Sequence, residues 1–103
     1  MPDRAPALDS QTLSREETRL SPMWRVLVHN DDATPMDFVV HVLQELFKLP
    51  FLRAARIMLE AHRGGVAHVV TEPLERAEFH VEQARSLARG RGWPLTFSIE
   101  PET

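Results

Sequence analysis

Proline and glycine cut this chain into short pieces, and that punctuation limits the fold more than any other feature. Pro35, Pro50 and Pro73, together with Gly64-Gly65, Gly90 and Gly92, divide the stretch after Met23. A proline inside a helix removes a hydrogen bond and clashes with the preceding turn, and a glycine readily ends one. Between these breaks the apolar residues repeat with either strand or helix period. "WRVLVHN" (24–30) alternates Trp24, Val26 and Val28 against Arg25, Leu27 and His29, as a first strand should. Thr34-Pro35-Met36-Asp37 opens a first helix, with Thr34 as the expected cap, and Val39, Val42, Leu43 and Leu46 form its buried side up to Phe47. A second helix is expected from Phe51 to Ala61, and "VAHVVT" (66–71) is a second strand. Thr71 and Pro73 should open a third helix, whose stripe is Leu74, Ala77, Val81, Ala84 and Ala88 and whose end lies near Arg89. "LTFSIE" (95–100) is a third strand. The order β-α-α-β-α-β predicts an α+β fold: a small three-stranded antiparallel sheet with three helices packed on one face. Residues 1–22 are polar, mixed in charge and without apolar period, and read as a flexible N-terminal extension to a core domain over 23–103.

Composition narrows the function. At 103 residues and 43% hydrophobic content, one domain with a real core is expected. A formal net charge of −3 offers no basic field for nucleic acid. With no cysteine, disulfides and thiolate metal sites are excluded, which suits a reducing cytoplasm. No apolar run approaches the roughly 18–20 residues of a membrane span, and the N-terminus lacks the pattern of a signal peptide.

The stretch "HNDDATPMDF" (29–38) concentrates polar and acidic residues between a strand and a helix. Four readings compete. Asp31 and Asp32 as a catalytic pair would need two carboxylates facing one site, and no nucleophile-base pair or phosphate loop accompanies them. A metal site would need more oxygens than these two, and the five histidines form no recognised ligand spacing; neither metal nor cofactor is expected. A plain turn is chemically sufficient, because Asn and Asp hydrogen-bond their own backbone. The fourth reading is a pocket for an organic cation. Met36 and Val39 share a face of the first helix, and Met58, Ala61 and His62 share one of the second, so an apolar hole could lie beside an acceptor-rich rim. Spacing alone does not say whether those faces meet.

"VLVHNDDATPMDFVVHVLQELF" (26–47), followed by "AARIMLEAH" (54–62), closely resembles the ClpS family, adaptors of the bacterial Clp ATP-dependent protease. The resemblance runs from about residue 24 to 100. It implies a non-enzymatic, monomeric adaptor that binds proteins beginning with Leu, Phe, Tyr or Trp and delivers them to a ClpA- or ClpC-type unfoldase. It further implies that Asn30, Asp32 and His62 contact the cargo's α-amine while Asp31 shapes the acidic rim. Thr34, Met36, Val39, Met58, Ala61 and Leu95 match the family's side-chain pocket. Glu75 and Glu78 match acidic docking positions for the unfoldase, and His80 stands where a Lys is usual. Ala61 is smaller than the family's common Val, which implies a roomier pocket that accepts Trp or Tyr relatively well. The segment "RGGVAHVV" is shorter than the usual turn. Other readings of the same fold are an unfoldase modulator blind to the cargo's first residue and a ribosomal stalk-like interaction domain. An RNA-binding βααβ module is disfavoured by the acidic balance and the missing G-x-x-G loop.

Overall fold

The computed structural model describes residues 22–103; the expected extension over 1–22 lies outside these apart from Pro22. Strand β1 (Met23–His29) is central, flanked by β2 (Val66–Pro73) and β3 (Thr96–Pro101), both antiparallel to it. Helices α1 (Met36–Glu45), α2 (Phe51–Gly64) and α3 (Leu74–Gly90) complete the predicted β-α-α-β-α-β order. The alternation in β1 does what its pattern requires. Val26 and Val28 are fully buried against the helices, while Arg25 and His29 lie on the other face, where Arg25 pairs with Glu100 and His29 with Ser98.

The core joins these valines to Val42, Leu43, Val69 and Leu95. Helix α3 presents Ala77, Ala84 and Ala88, all fully buried, so its small side chains let the backbone lie close to the sheet. Leu74, expected in that stripe, is exposed instead.

Several boundaries differ from expectation for local reasons. Helix α1 stops at Glu45, because Phe47 turns inward to stack on Phe97 with ring centroids 5.6 Å apart. Helix α2 runs past Ala61 to Gly64, and Gly65 ends it at φ 92°, a conformation that favours glycine. Thr34 does not cap α1, since its hydroxyl donates to Asp31 (2.8 Å), and Pro35 takes the cap position without a side-chain bond. Thr71 does not open α3 either. It lies in β2 with its hydroxyl 2.7 Å from His68 Nε2. Strand β2 continues to Pro73 because it is an edge strand, where a missing N–H is tolerated.

The register of β1 and β2 slips once, between Val26 and Leu27: Leu27 faces His68, but Val26 faces Val70. The resulting bulge reverses which β2 side chains face inward. Ala67 and Val69 point to the core before it; Val70 and Glu72 lie on that side after it, opposite Val26 and Trp24. Glu72 is therefore buried, at 8% exposure, and meets His80 of α3 at 2.6 Å.

Candidate functional site

The acidic stretch leaves β1 at Asn30 and enters α1 at Met36 as a tight loop, and Asp31 holds it together. Its Oδ1 accepts the N–H groups of Ala33 (2.9 Å) and Thr34 (2.6 Å), and its Oδ2 accepts the Thr34 hydroxyl. Burial pushes the Asp31 carboxyl up, but the two donors of Thr34 and the N–H of Ala33 outweigh it and hold the carboxyl below the ordinary carboxylate value. Asp31 thus spends both oxygens on its own loop. Asp32, the next residue, is exposed and makes no side-chain hydrogen bond among the described residues.

The second half of the site comes from the end of α2. Gly65 donates its N–H to Ala61 (2.7 Å), and its carbonyl accepts the N–H of Asn30 (2.9 Å). This one backbone bond ties the end of β1 to the end of α2, so Asn30 and His62 belong to the same rim. Beneath the rim is a cavity of about 300 Å³, within the usual size range of small-ligand pockets. Its apolar wall includes Val39, Ala61 and Leu95, at 9%, 3% and 1% exposure, with Met58 half-buried. Met36, at 44% exposure, stands at its mouth.

All ten residues that the sequence placed in the amine rim or the side-chain pocket line this one cavity: Asn30, Asp31, Asp32, Thr34, Met36, Val39, Met58, Ala61, His62 and Leu95. The faces of α1 and α2 do meet, on which helical spacing alone was silent. Four further lining residues escaped the sequence reading: Val28, His29, Ala33 and Pro35. The inward parity of Val28 on β1 was the available signal for it; Ala33 and Pro35 lie within the quoted stretch itself. The arrangement joins carboxylate, amide and imidazole acceptors to an apolar hole. Chemically it suits a cationic head attached to a hydrophobic body. No group of three or more His, Cys, Asp or Glu among the described residues is arranged to hold a metal ion.

The other expected site is less uniform. Glu75 and Glu78 are exposed three residues apart on α3. His80 is turned toward the core, bonded to Glu72 through Nδ1 and lying against Phe47 at 4.9 Å between ring centroids. No helix among the described residues is long and apolar enough to cross a membrane.

Residues 19–98 match the model of the family described as ATP-dependent Clp protease adaptor protein ClpS. The ClpS adapter of Nitratidesulfovibrio vulgaris (strain DP4) is 43% identical over 96 residues, covering 93% of this chain and 92% of the relative. That of Gloeobacter violaceus is 44% identical over 98 residues, covering 92% of this chain and 99% of the relative. Among solved structures, Agrobacterium tumefaciens ClpS2 bound to L-phenylalaninamide superposes with a TM-score of 0.77 at 38% identity, covering 79% of this chain and 98% of that one. These relatives are adaptors and not enzymes. By the match over most of its length, this chain belongs to the ClpS family of Clp protease adaptor proteins.

Proposed function

We propose that this adaptor captures proteins by a free α-amine on a Leu, Phe, Tyr or Trp at their first position and delivers them to a ClpA- or ClpC-type unfoldase. The observation that carries the reading is the pairing, in one cavity, of an apolar wall with a rim whose Asp32 carboxylate has no hydrogen-bond partner among the described residues. An α-amino group has a reference pKa of about 7.7–8.0 and is mostly cationic at neutral pH. Asn30, Asp32 and His62 are the acceptors for it, and His62 serves only with a neutral acceptor nitrogen. Asp31 acts one step back, by setting the loop that aims Asp32. Thr34, Met36, Val39, Met58, Ala61 and Leu95 surround the side chain. The ligand of the Agrobacterium relative is itself a phenylalanine with a free amine and an amidated carboxyl, the chemistry this cavity suits.

The magnitudes agree with a carrier that must release its cargo. A charge-assisted hydrogen bond contributes about 1.5–3 kcal/mol, and a buried Leu or Phe side chain about the same. A few such contributions, less the cost of ordering the peptide, leave roughly micromolar affinity. Glu75 and Glu78 are the residues we assign to the unfoldase. His80 is assigned a place beneath that surface, fixing the helix by its bond to Glu72. We further assign residues 23–103 as the folded unit and 1–22 as an appended arm.

Fluorescence anisotropy on labelled decapeptides beginning with Phe, Leu, Trp, Tyr, Ile or Ala tests this reading, with N-acetylated Phe as control. Micromolar binding of the Phe and Leu peptides, abolished by acetylation, is expected. Equal binding of all six peptides would refute first-residue recognition and favour a modulator that only occupies the unfoldase.

A further inference from the structure

A second cleft, of about 340 Å³, lies beside the first, and Pro35 belongs to the lining of both. Its other walls are Asp37, Phe38 and His41 of α1, and Arg91 and Trp93 of the turn between α3 and β3. The first turn of α1 therefore separates two hollows, with Met36 in the first and Asp37 and Phe38 in the second. A peptide whose first residue fills the first cavity and whose chain runs out over this turn reaches the second cleft at once. An extended chain advances about 3.3–3.6 Å per residue, so its second to fourth residues span the width of one proline.

The chemistry of the second cleft centres on Arg91. Its guanidinium lies over the Phe38 ring, 6.0 Å from the centroid, and His41 lies against the same ring at 6.4 Å. At this distance the contact is a cation–π approach, and it leaves the guanidinium N–H fork available to a carboxylate. Arg91 makes no ion pair among the described residues, where the pairs join Arg25 to Glu100, Arg85 to Glu82 and His80 to Glu72. Asp37 shares the cleft but makes no hydrogen bond to Arg91. Among the described residues Arg91 is thus a cation beside an aromatic ring with no ion-pair partner, open to an acidic one brought from outside.

We propose that the cleft between Pro35, Phe38 and Arg91 is a second subsite, receiving the side chains that follow the cargo's first residue and favouring Asp or Glu there. The inference rests on first-residue recognition. It makes Arg91 a specificity-determining residue: the first cavity reads the amine and the side chain at position one, and the second grades cargoes that share that residue.

The test uses three labelled peptides with a common polar tail, Phe-Glu-Glu, Phe-Ala-Ala and Phe-Lys-Lys, at low salt, with wild-type full-length chain, Arg91→Ala and Arg91→Glu. Each protein is scored by the ratio of its affinities for the Glu and Lys peptides, so any general change in binding cancels. A ratio of about three to five in favour of Glu is expected for the wild type, the size of one solvent-exposed charge pair. It should fall toward one in Arg91→Ala and reverse in Arg91→Glu. The same ratio in all three proteins, or a wild-type preference for Lys, overturns the subsite. Failure of Phe-Ala-Ala to bind the wild type at all overturns first-residue recognition, and the subsite with it, whereas micromolar binding of that peptide with no Glu-to-Lys preference overturns the subsite alone.

Discussion

Each end of the sheet brings an acid and a histidine together, and the two pairs are used in opposite ways. At the end of β1 near His29, Asp32 and His62 stand at the rim of an open cavity. Near Trp24, five residues and roughly 17 Å back along an extended strand, Glu72 and His80 meet on the helix-covered face of the sheet. Glu72 and His80 satisfy each other, and Phe47 covers the imidazole on its way to Phe97. Asp32 and His62 have no such partners among the described residues. Even within the acidic loop the contrast recurs, since Asp31 commits its oxygens to Ala33 and Thr34 while Asp32 has no such bond among the described residues. Composition does not distinguish a structural polar pair from a recognition pair. What distinguishes them is whether each polar atom is already answered.

The sharpest way to break that contrast is to remove one acid from each end. Asp32→Ala should weaken binding of a Phe-initiated peptide by about 2–3 kcal/mol, roughly 30- to 150-fold. Because Asp32 is exposed, its loss should change stability by no more than about 0.5 kcal/mol. Anisotropy and thermal unfolding on the same sample measure both. If Asp32→Ala lowers the melting temperature and spares binding, the assignment is reversed.

Glu72→Ala should do the opposite. It leaves the half-buried His80 imidazole without its partner, at a cost of about 1–2 kcal/mol, and a domain of this size loses about 4–8 °C in melting temperature per kcal/mol. Glu72→Gln keeps an acceptor and should lose less than half as much. Peptide binding measured well below the transition should stay within about twofold of wild type, because the pair lies at the far end of the sheet. A tenfold loss of peptide affinity would mean that the two ends are coupled.

Asp31→Asn tests the intermediate case, an acid that serves the site through the backbone. One amide oxygen can still accept the two N–H groups, but the acceptor for the Thr34 hydroxyl is gone. Binding should weaken by about 1 kcal/mol, roughly fivefold, with faster amide exchange at Ala33 and Thr34. The wild-type brace also has a definite pH sense. The Asp31 carboxyl sits below the ordinary value of about 3.9, so the folded loop favours the ionised form. Its stabilisation is complete above that ordinary value and is lost as the pH falls through the group's own lower value. The Ala33 and Thr34 amide shifts should follow that titration in the wild type and stay flat in Asp31→Asn. A flat wild-type profile would count against the brace.

The six elements and their order were legible because each break carries its own chemistry, as at Pro50, Gly65 and Gly92. Ends were less legible wherever a tertiary contact overrode a local signal. Thr34 and Thr71 both look like helix caps, yet one hydroxyl goes to Asp31 and the other to His68. The bulge in β2 left no readable mark, because "VAHVVT" is apolar on both parities at Val69 and Val70, and the inward turn of Glu72 was lost with it. The resemblance groups His80 with Glu75 and Glu78 as a docking position, and nothing in the sequence announces its bond to Glu72. The cavity was legible as two helix faces, but the closing of its rim by the bond from Asn30 to Gly65 was not, since it is a backbone contact that no side-chain pattern encodes.

Ala61 gives the smallest effect and the finest test of the contrast, because it probes the wall and not the rim. Its methyl group is buried in the lining of the first cavity, one residue before His62. Ala61→Val adds two methyl groups to a space of about 300 Å³ without touching any acceptor. Narrowing a wall penalises the largest side chain first, so Trp-initiated peptides should lose more affinity than Leu-initiated ones. The difference should be about 1 kcal/mol or less, up to roughly fivefold in the Trp-to-Leu ratio. Valine also costs a few tenths of a kcal/mol in helix propensity, which thermal unfolding measures separately. Equal losses for Trp and Leu would place the strain at the rim, through the Ala61 carbonyl that holds Gly65, and would make this position part of the frame. A selective loss of Trp would make Ala61 the residue that sets how large a first side chain the adaptor accepts, independently of the acids that read its charge.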